Sequence, residues 1–197
     1  MNTTDPENDK YLIRANYDDK RIRVYQAYHH AIADAAIAIG TFRSGTFNMD
    51  RMTWIKPSFL WMMYRCGWGE KDENQSRVLA IDITREGFDW CLKTGILSTY
   101  HQDPYGDYET WKRRLHGSPV RIQWDPERGL SLNKLNSRTI QIGLRGIAVE
   151  RYVSEWILQI TDITEQVKQM KRFLDNGQRE EATKMLPEEE PYCSYSR

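Results

Sequence analysis

The stretch Arg51–Trp68, RMTWIKPSFLWMMYRCGW, gathers three tryptophans (Trp54, Trp61, Trp68), three methionines and the cations Arg51, Lys56 and Arg65. Pro57 fits the first position of a helix, where its missing N–H costs nothing, and Gly67 fits the position just past a helix end. The pattern predicts a short strand over Met52–Ile55, a tight turn, then two helical turns over Ser58–Arg65. Phe59, Trp61, Met62 and Met63 make that helix apolar around most of its circumference, the mark of a buried helix. A core helix with a strand leading into it is one full account of the segment. The other starts from Lys56 and Ser58, which flank the strand-to-helix turn. Free backbone N–H groups there favour an anion, so the corner is a candidate binding site.

Working outward, the 197 residues suit one domain with room for a good core. Lys+Arg and Asp+Glu balance at 28 each, so no global field draws the chain to nucleic acid or an anionic membrane. Seven tryptophans and eleven tyrosines point to aromatic-walled surfaces or pockets as well as a core. Cys66, Cys91 and Cys193 are far apart and match no disulfide framework or zinc spacing; reduced thiols in a cytoplasmic protein are expected. The polar start MNTTDPENDK is no secretory signal, and no apolar run approaches a membrane span. A soluble protein is expected.

Along the chain, residues 1–10 are expected to be disordered, 11–186 to form one globular domain, and 187–197 to be an acidic flexible tail. Tyr11–Asn16 and Arg21–Tyr28 read as strands joined by a turn at Asp18–Lys20. Ala31–Ile39 reads as a helix closed by Gly40, and Thr41–Asp50 as a loop long enough to lie over a pocket. Arg77–Ile83 is a buried strand, and Thr84 caps a helix over Arg85–Lys93. A basic helix over Tyr108–His116 follows. Val120–Trp124 alternates as a strand and turns at Asp125–Gly129; Leu130–Leu135 and Arg138–Leu144 continue the meander. Val153–Ile163 reads as a strand, then Glu165–Leu174 and Gln178–Leu186 as helices. The expected fold is α+β: one domain, a mostly antiparallel sheet of six or seven strands, with flanking helices.

The sequence lacks GxGxxG, GxxxxGK[ST], HExxH, GxSxG and an EF-hand loop, which excludes the commonest nucleotide, protease and calcium signatures. Four scattered histidines make no catalytic set, and no metal site is expected.

The segments VYQAY (Val24–Tyr28), RMTWIKPSFLWMMYR (Arg51–Arg65), RVLAI (Arg77–Ile81), TREGF (Thr84–Phe88), IQIGLRG (Ile140–Gly146) and VSEWI (Val153–Ile157) closely resemble, in order, the family called domain of unknown function 4291. That name declares no activity. The order of elements also resembles small ADP-ribosyltransferase-like domains, a likeness that implies NAD as cofactor. By position it gives Gln26 the first-strand role on the NAD phosphates or ribose, with Tyr28 closing the same aromatic-X-X-aromatic strand. It gives Ser58 or Thr53 the hydroxyl that seats the nicotinamide ribose, and Glu155 the carboxylate that orients the ribose. Gln26 stands where arginine or histidine is usual, so Arg14 or Arg51 would supply the charge.

The chemistry that this resemblance implies asks for a buried carboxylate against positive charge on the sugar, cations on the pyrophosphate and a ring on the base. Ser58 and Glu155 are thus the candidate catalytic residues; Trp54, Lys56 and Arg145 join the candidates for the ligand. Each has another reading: Glu155 as a solvent-facing residue on an edge strand, Arg145 in an ordinary turn, Arg51 and Lys56 in cation–π packing. Two functions remain open. One is a nucleotide-binding, ADP-ribosyltransferase-like enzyme with a nucleic acid or protein as acceptor. The other is a non-catalytic nucleic-acid-binding module, using Arg51, Lys56, Arg65 and Lys112–Arg114 on phosphate.

Overall fold

The strand Arg77–Ile83 is apolar at nearly every position because it is covered on both faces, and the rest of the molecule is layered around it. In the computed structural model, which describes residues 9–192, the chain runs β1 (Arg14–Ala15), β2 (Arg21–Tyr28), α1 (His30–Ile39), β3 (Thr53–Ile55), α2 (Phe59–Cys66), β4 (Arg77–Thr84) and α3 (Arg85–Thr94). It continues through β5 (Ile96–Leu97), α4 (Gln102–Tyr105), α5 (Tyr108–Gly117), β6 (Val120–Arg128), β7 (Lys134–Leu144) and α6 (Ile147–Arg151). A π-helical turn (Tyr152–Trp156), β8 (Ile157–Asp162), α7 (Thr164–Asp175), α8 (Arg179–Lys184) and β9 (Glu190–Pro191) complete it.

The strands do not form the single sheet of six or seven expected. They form a three-stranded sheet in the order β2-β4-β8, a four-stranded sheet in the order β3-β7-β6-β5, and the short pair β1-β9. Every pairing is antiparallel except β5 with β6. On one side of the three-stranded sheet, Ile22, Val24, Leu79, Ile81 and Ile83 join Ile55, Ile122, Ile140 and Ile142 of the four-stranded sheet in one core. On its other side Tyr25, Val78 and Ala80 pack beneath α2, α7 and α8, through Phe59, Met62, Met63, Val167, Met170 and Ala182. Alternate residues of β4 thus feed different cores, which is why the strand reads as an apolar run and not as an alternation.

Local signals place the helices. Gly40 and Gly67 end α1 and α2 in the left-handed region, at φ 75° and 57°, which glycine enters without penalty. Pro57 lies two positions before the first helical residue, Phe59, where it was expected to be that residue itself; between them is the N-cap Ser58, whose Oγ accepts from Trp61 N at 3.1 Å.

Three expectations are corrected. The turn at Asp125–Gly129 and the strand at Leu130–Leu135 are replaced by one long hairpin, β6 to β7, turning at residues 129–133. Pro126 is tolerated within β6 because the register shifts beside it, between Pro126 and Arg128, and an irregular or edge position does not need its N–H. The strand at Val153–Ile163 begins only at Ile157, because Tyr152, Val153 and Trp156 are buried at helical spacing and the chain coils there. The expected flexible tail is docked as far as it is described. β9 pairs with β1, Asn16 Nδ2 donates to Glu188 O at 3.0 Å, and Tyr192 is buried with its hydroxyl on Asp89 at 2.8 Å. Residues 1–8 and 193–197, the rest of the expected disordered start and flexible tail, lie outside the described residues. Among the described residues no helix is long and apolar enough to cross a membrane.

Candidate functional site

The two larger sheets touch through one antiparallel bridge, in which Tyr25 N donates to Lys56 O at 2.7 Å. Where they part beyond this point a cleft of about 550 Å³ opens, within the usual range for a small-molecule site. Its walls come from every element that meets there. The end of β2 gives Gln26, Tyr28 and His29; the loop after α1 gives Phe47, Asn48 and Arg51; β3 and its exit give Thr53, Trp54 and Lys56. Met62 and Arg65 enter from α2, Asp72, Asn74 and Gln75 border the cleft, and Gln123 and Gln141 form the wall on the four-stranded sheet.

Lys56 is the sole lysine of this lining. It is 7% exposed, and its Nζ donates to Trp54 O at 2.8 Å. That same carbonyl accepts Gln26 Nε2 at 3.1 Å, so one acceptor serves two donors. Burial, reinforced by the charge of Arg65, lowers the Lys56 ammonium to about 7; Cys66 and Asp125 pull the other way and do not prevail.

Gln26 is anchored from behind, its Oε1 accepting from the buried Tyr152 hydroxyl at 2.8 Å. Burial pushes the Tyr28 phenol up, partly offset by a side-chain hydrogen bond with Thr53. The opposite wall is a built amide pair. Gln123 and Gln141 are direct cross-strand partners, and they donate to Asp125 Oδ1 and Oδ2 at 3.0 and 2.7 Å. Trp54 stands beside them over Gly143, its cross-strand partner, where an added Cβ would come within 3.0 Å of the indole and 2.8 Å of Met52 Sδ.

The sequence profile of Domain of unknown function (DUF4291) matches residues 12–192. The chain belongs to this family. A comparison with curated proteins finds no match.

In this DUF4291 chain the cleft unites Gln26, Tyr28, Arg51, Thr53, Trp54, Lys56 and Arg65 among the residues singled out from sequence. The others stand elsewhere. Glu155 is exposed on the π-helical turn, not on a strand, and pairs with Arg151 at 2.9 Å. Arg145 is spent on the end of α5, donating from Nε to Ser118 O at 3.0 Å and from its other guanidinium nitrogen to His116 O. Arg14 is exposed on β1. Lys112–Arg114 lie on α5, which packs against β5 at the far edge of the four-stranded sheet from β3.

Ser58 faces a second polar cluster. The register irregularity in β6 aims Glu127 at α2, and Ser58 Oγ donates to its carboxylate at 2.9 Å. The first N–H of α2, on Phe59, is taken by Glu189 Oε1 at 2.7 Å. The place expected for an anion at this helix start is therefore filled by the chain's own Glu189 carboxyl group, delivered by the strap that ends in β9. Burial pushes Glu189 up to about 8; the Phe59 N–H opposes this, the neighbouring Glu127 adds to it, and Arg14 lowers it. Burial also raises Glu127.

Sequence reading missed the amide wall. The available signal was two glutamines at mid-strand, Gln123 and Gln141, each flanked on both sides by residues of the core: Ile122 and Trp124, Ile140 and Ile142. Their use as one pair needed the register of β6 against β7, which no local pattern carries.

Proposed function

We propose that the cleft at the sheet seam binds a phosphorylated nucleotide. The observation that carries this reading is the convergence of Arg51, Lys56 and Arg65 on a cavity also walled by amides and by the rings of Tyr28, Phe47 and Trp54. Guanidinium groups grip phosphate oxygens two at a time, and an aromatic ring takes the face of a base. Gln26, Asn48 and the Gln123–Gln141 pair offer donors and acceptors to ribose hydroxyls and base edges.

These residues suit the phosphate, ribose and base of NAD, so an ADP-ribosyltransferase-like activity is the enzymatic form of the proposal. When bound, NAD supplies the labile nicotinamide–ribose bond. Asp125, fixed by two amides and close enough to influence Lys56, takes the charge-stabilising part that the resemblance gives to Glu155. Arg51 and Arg65 hold the phosphates, and Gln26 orients a ribose hydroxyl.

A thermal-shift titration with ADP and NAD tests the binding: both raise the melting temperature, while Arg51→Ala and Arg65→Ala each weaken binding by about tenfold or more. Nicotinamide release, lost in Asp125→Asn and retained in Glu155→Gln, tests the chemistry. No shift with any adenine nucleotide overturns the proposal.

A further inference from the structure

Lys56 is more than a phosphate counter-charge. Two guanidinium-bearing residues, Arg51 and Arg65, already line the same cleft on more exposed positions. A third cation buried to 7% exposure, sharing its acceptor with Gln26, is an expensive way to add positive charge. The placement suits an amine better than an ammonium. Its tip is held by the single hydrogen bond to the Trp54 carbonyl, with the face of the Trp61 ring 6.0 Å away, at the outer limit of a cation–π contact, and Met62 in the same lining.

We propose that Lys56 forms a reversible imine with the C1 aldehyde of an open-chain aldose phosphate whose phosphate is held by Arg51 and Arg65. This deepens the nucleotide reading by naming a reactive group of the cleft and a sugar-phosphate class of substrate, and it rests on that reading for the phosphate grip. In the step, the neutral amine nitrogen attacks the carbonyl carbon and a C–N bond forms. The carbonyl oxygen then leaves as water, carrying the two protons that the amine gives up, and C=N remains. Water reverses the step, so no oxidant or reductant is consumed.

The charged and titratable groups that act on Lys56 are Arg65 and Cys66 from α2 and Asp125 from β6; Arg51, His29 and Asp72 share the cleft. With burial dominant, the Lys56 amine sheds its proton near 7, so the nucleophilic form is present at neutral pH.

The test is reductive trapping on the full chain with ribose 5-phosphate and sodium cyanoborohydride, followed by peptide mapping. The expected result is one dominant adduct, on Lys56, heavier by the sugar phosphate less one oxygen. Its rate levels off above about pH 7, whereas the free amine of a lysine model peptide continues to gain reactivity towards the ordinary lysine value near 10.4. Ribose without phosphate labels about tenfold more slowly. Lys56→Arg, which keeps the charge but forms no stable imine, loses the adduct; the mapping of the unaltered chain stands even where a variant folds poorly.

Labelling spread over surface lysines with Lys56 no faster, or undiminished trapping in Lys56→Arg, overturns the proposal. If ADP stabilises the protein but Lys56 stays unlabelled, the imine fails and the nucleotide reading stands. If Lys56 is labelled but neither ADP nor NAD stabilises, the nucleotide reading fails and the aldose phosphate remains.

Discussion

Glu189 illustrates how a single side chain can carry a pH dependence for the whole fold. Its carboxyl is held near 8 in the folded chain, against an ordinary value of 4.5. The folded state therefore keeps a proton that the unfolded state gives up. The stability linked to that proton is complete below about 4.5 and drains away as the pH rises towards 8. Above that range the strap must seat a charged carboxylate beside Glu127, itself raised by burial. Glu189→Gln mimics the protonated form at every pH and keeps an oxygen for the Phe59 N–H. Melting curves are expected to agree within a degree or two at about pH 5, and to favour the variant by a few degrees at about pH 9. A wild-type melting temperature that rises over this range relative to Glu189→Gln refutes the assignment.

At the scale of elements, close packing decides a case where propensity points the other way. Gly87 sits within α3, where alanine is the better helix former by up to about 1 kcal/mol. A Cβ there would lie 2.5 Å from the indole of Trp156, a ring that is itself 3% exposed and cannot retreat. The clash outweighs the propensity, and Gly87→Ala is expected to lose about 1–3 kcal/mol in denaturant unfolding. The same pairing explains how much could be read from the chain unaided. β2, α1, α2, β4 and α3 carry local marks of their own: alternation, an N-cap, a closing glycine, an apolar run. The π-helical turn also had a mark, the spacing of Tyr152, Val153 and Trp156, but the alternation across Val153–Ile157 imitates a strand. That imitation put Glu155 on the wrong kind of element. Pro126 misled similarly, because a proline beside Gly129 resembles a turn unless the register shift in β6 is known. The seven cleft residues anticipated from sequence lie on or beside β2, β3 and α2, close together in the chain. Those missed, Gln123 and Gln141, reach the cleft only through long-range strand pairing.

The molecule as a whole is closed by its last described residues. Tyr192 adds its ring to the inter-sheet core, its N–H to Ile13 O at 2.8 Å and its hydroxyl to Asp89, while Tyr17 Oη donates to Pro191 O at 2.8 Å. The strap is thus part of the fold, and Tyr192→Ala is expected to cost roughly 3 kcal/mol, the worth of a buried aromatic side chain. In a chain of this size that corresponds to a melting temperature lower by about 6–12 °C. The expectation of one sheet failed at this scale for a related reason: counting strands says nothing about which ones pair, and β2 with β4, like β3 with β7, skips over intervening elements. The bridge between the sheets has one more consequence. It is made by peptide atoms, the Tyr25 N–H on the Lys56 carbonyl, and asks nothing of the side chain at position 56. That residue is a socket: the group plugged into it can be exchanged, by mutation or by drift, and the rivet that fastens the two halves stays in place.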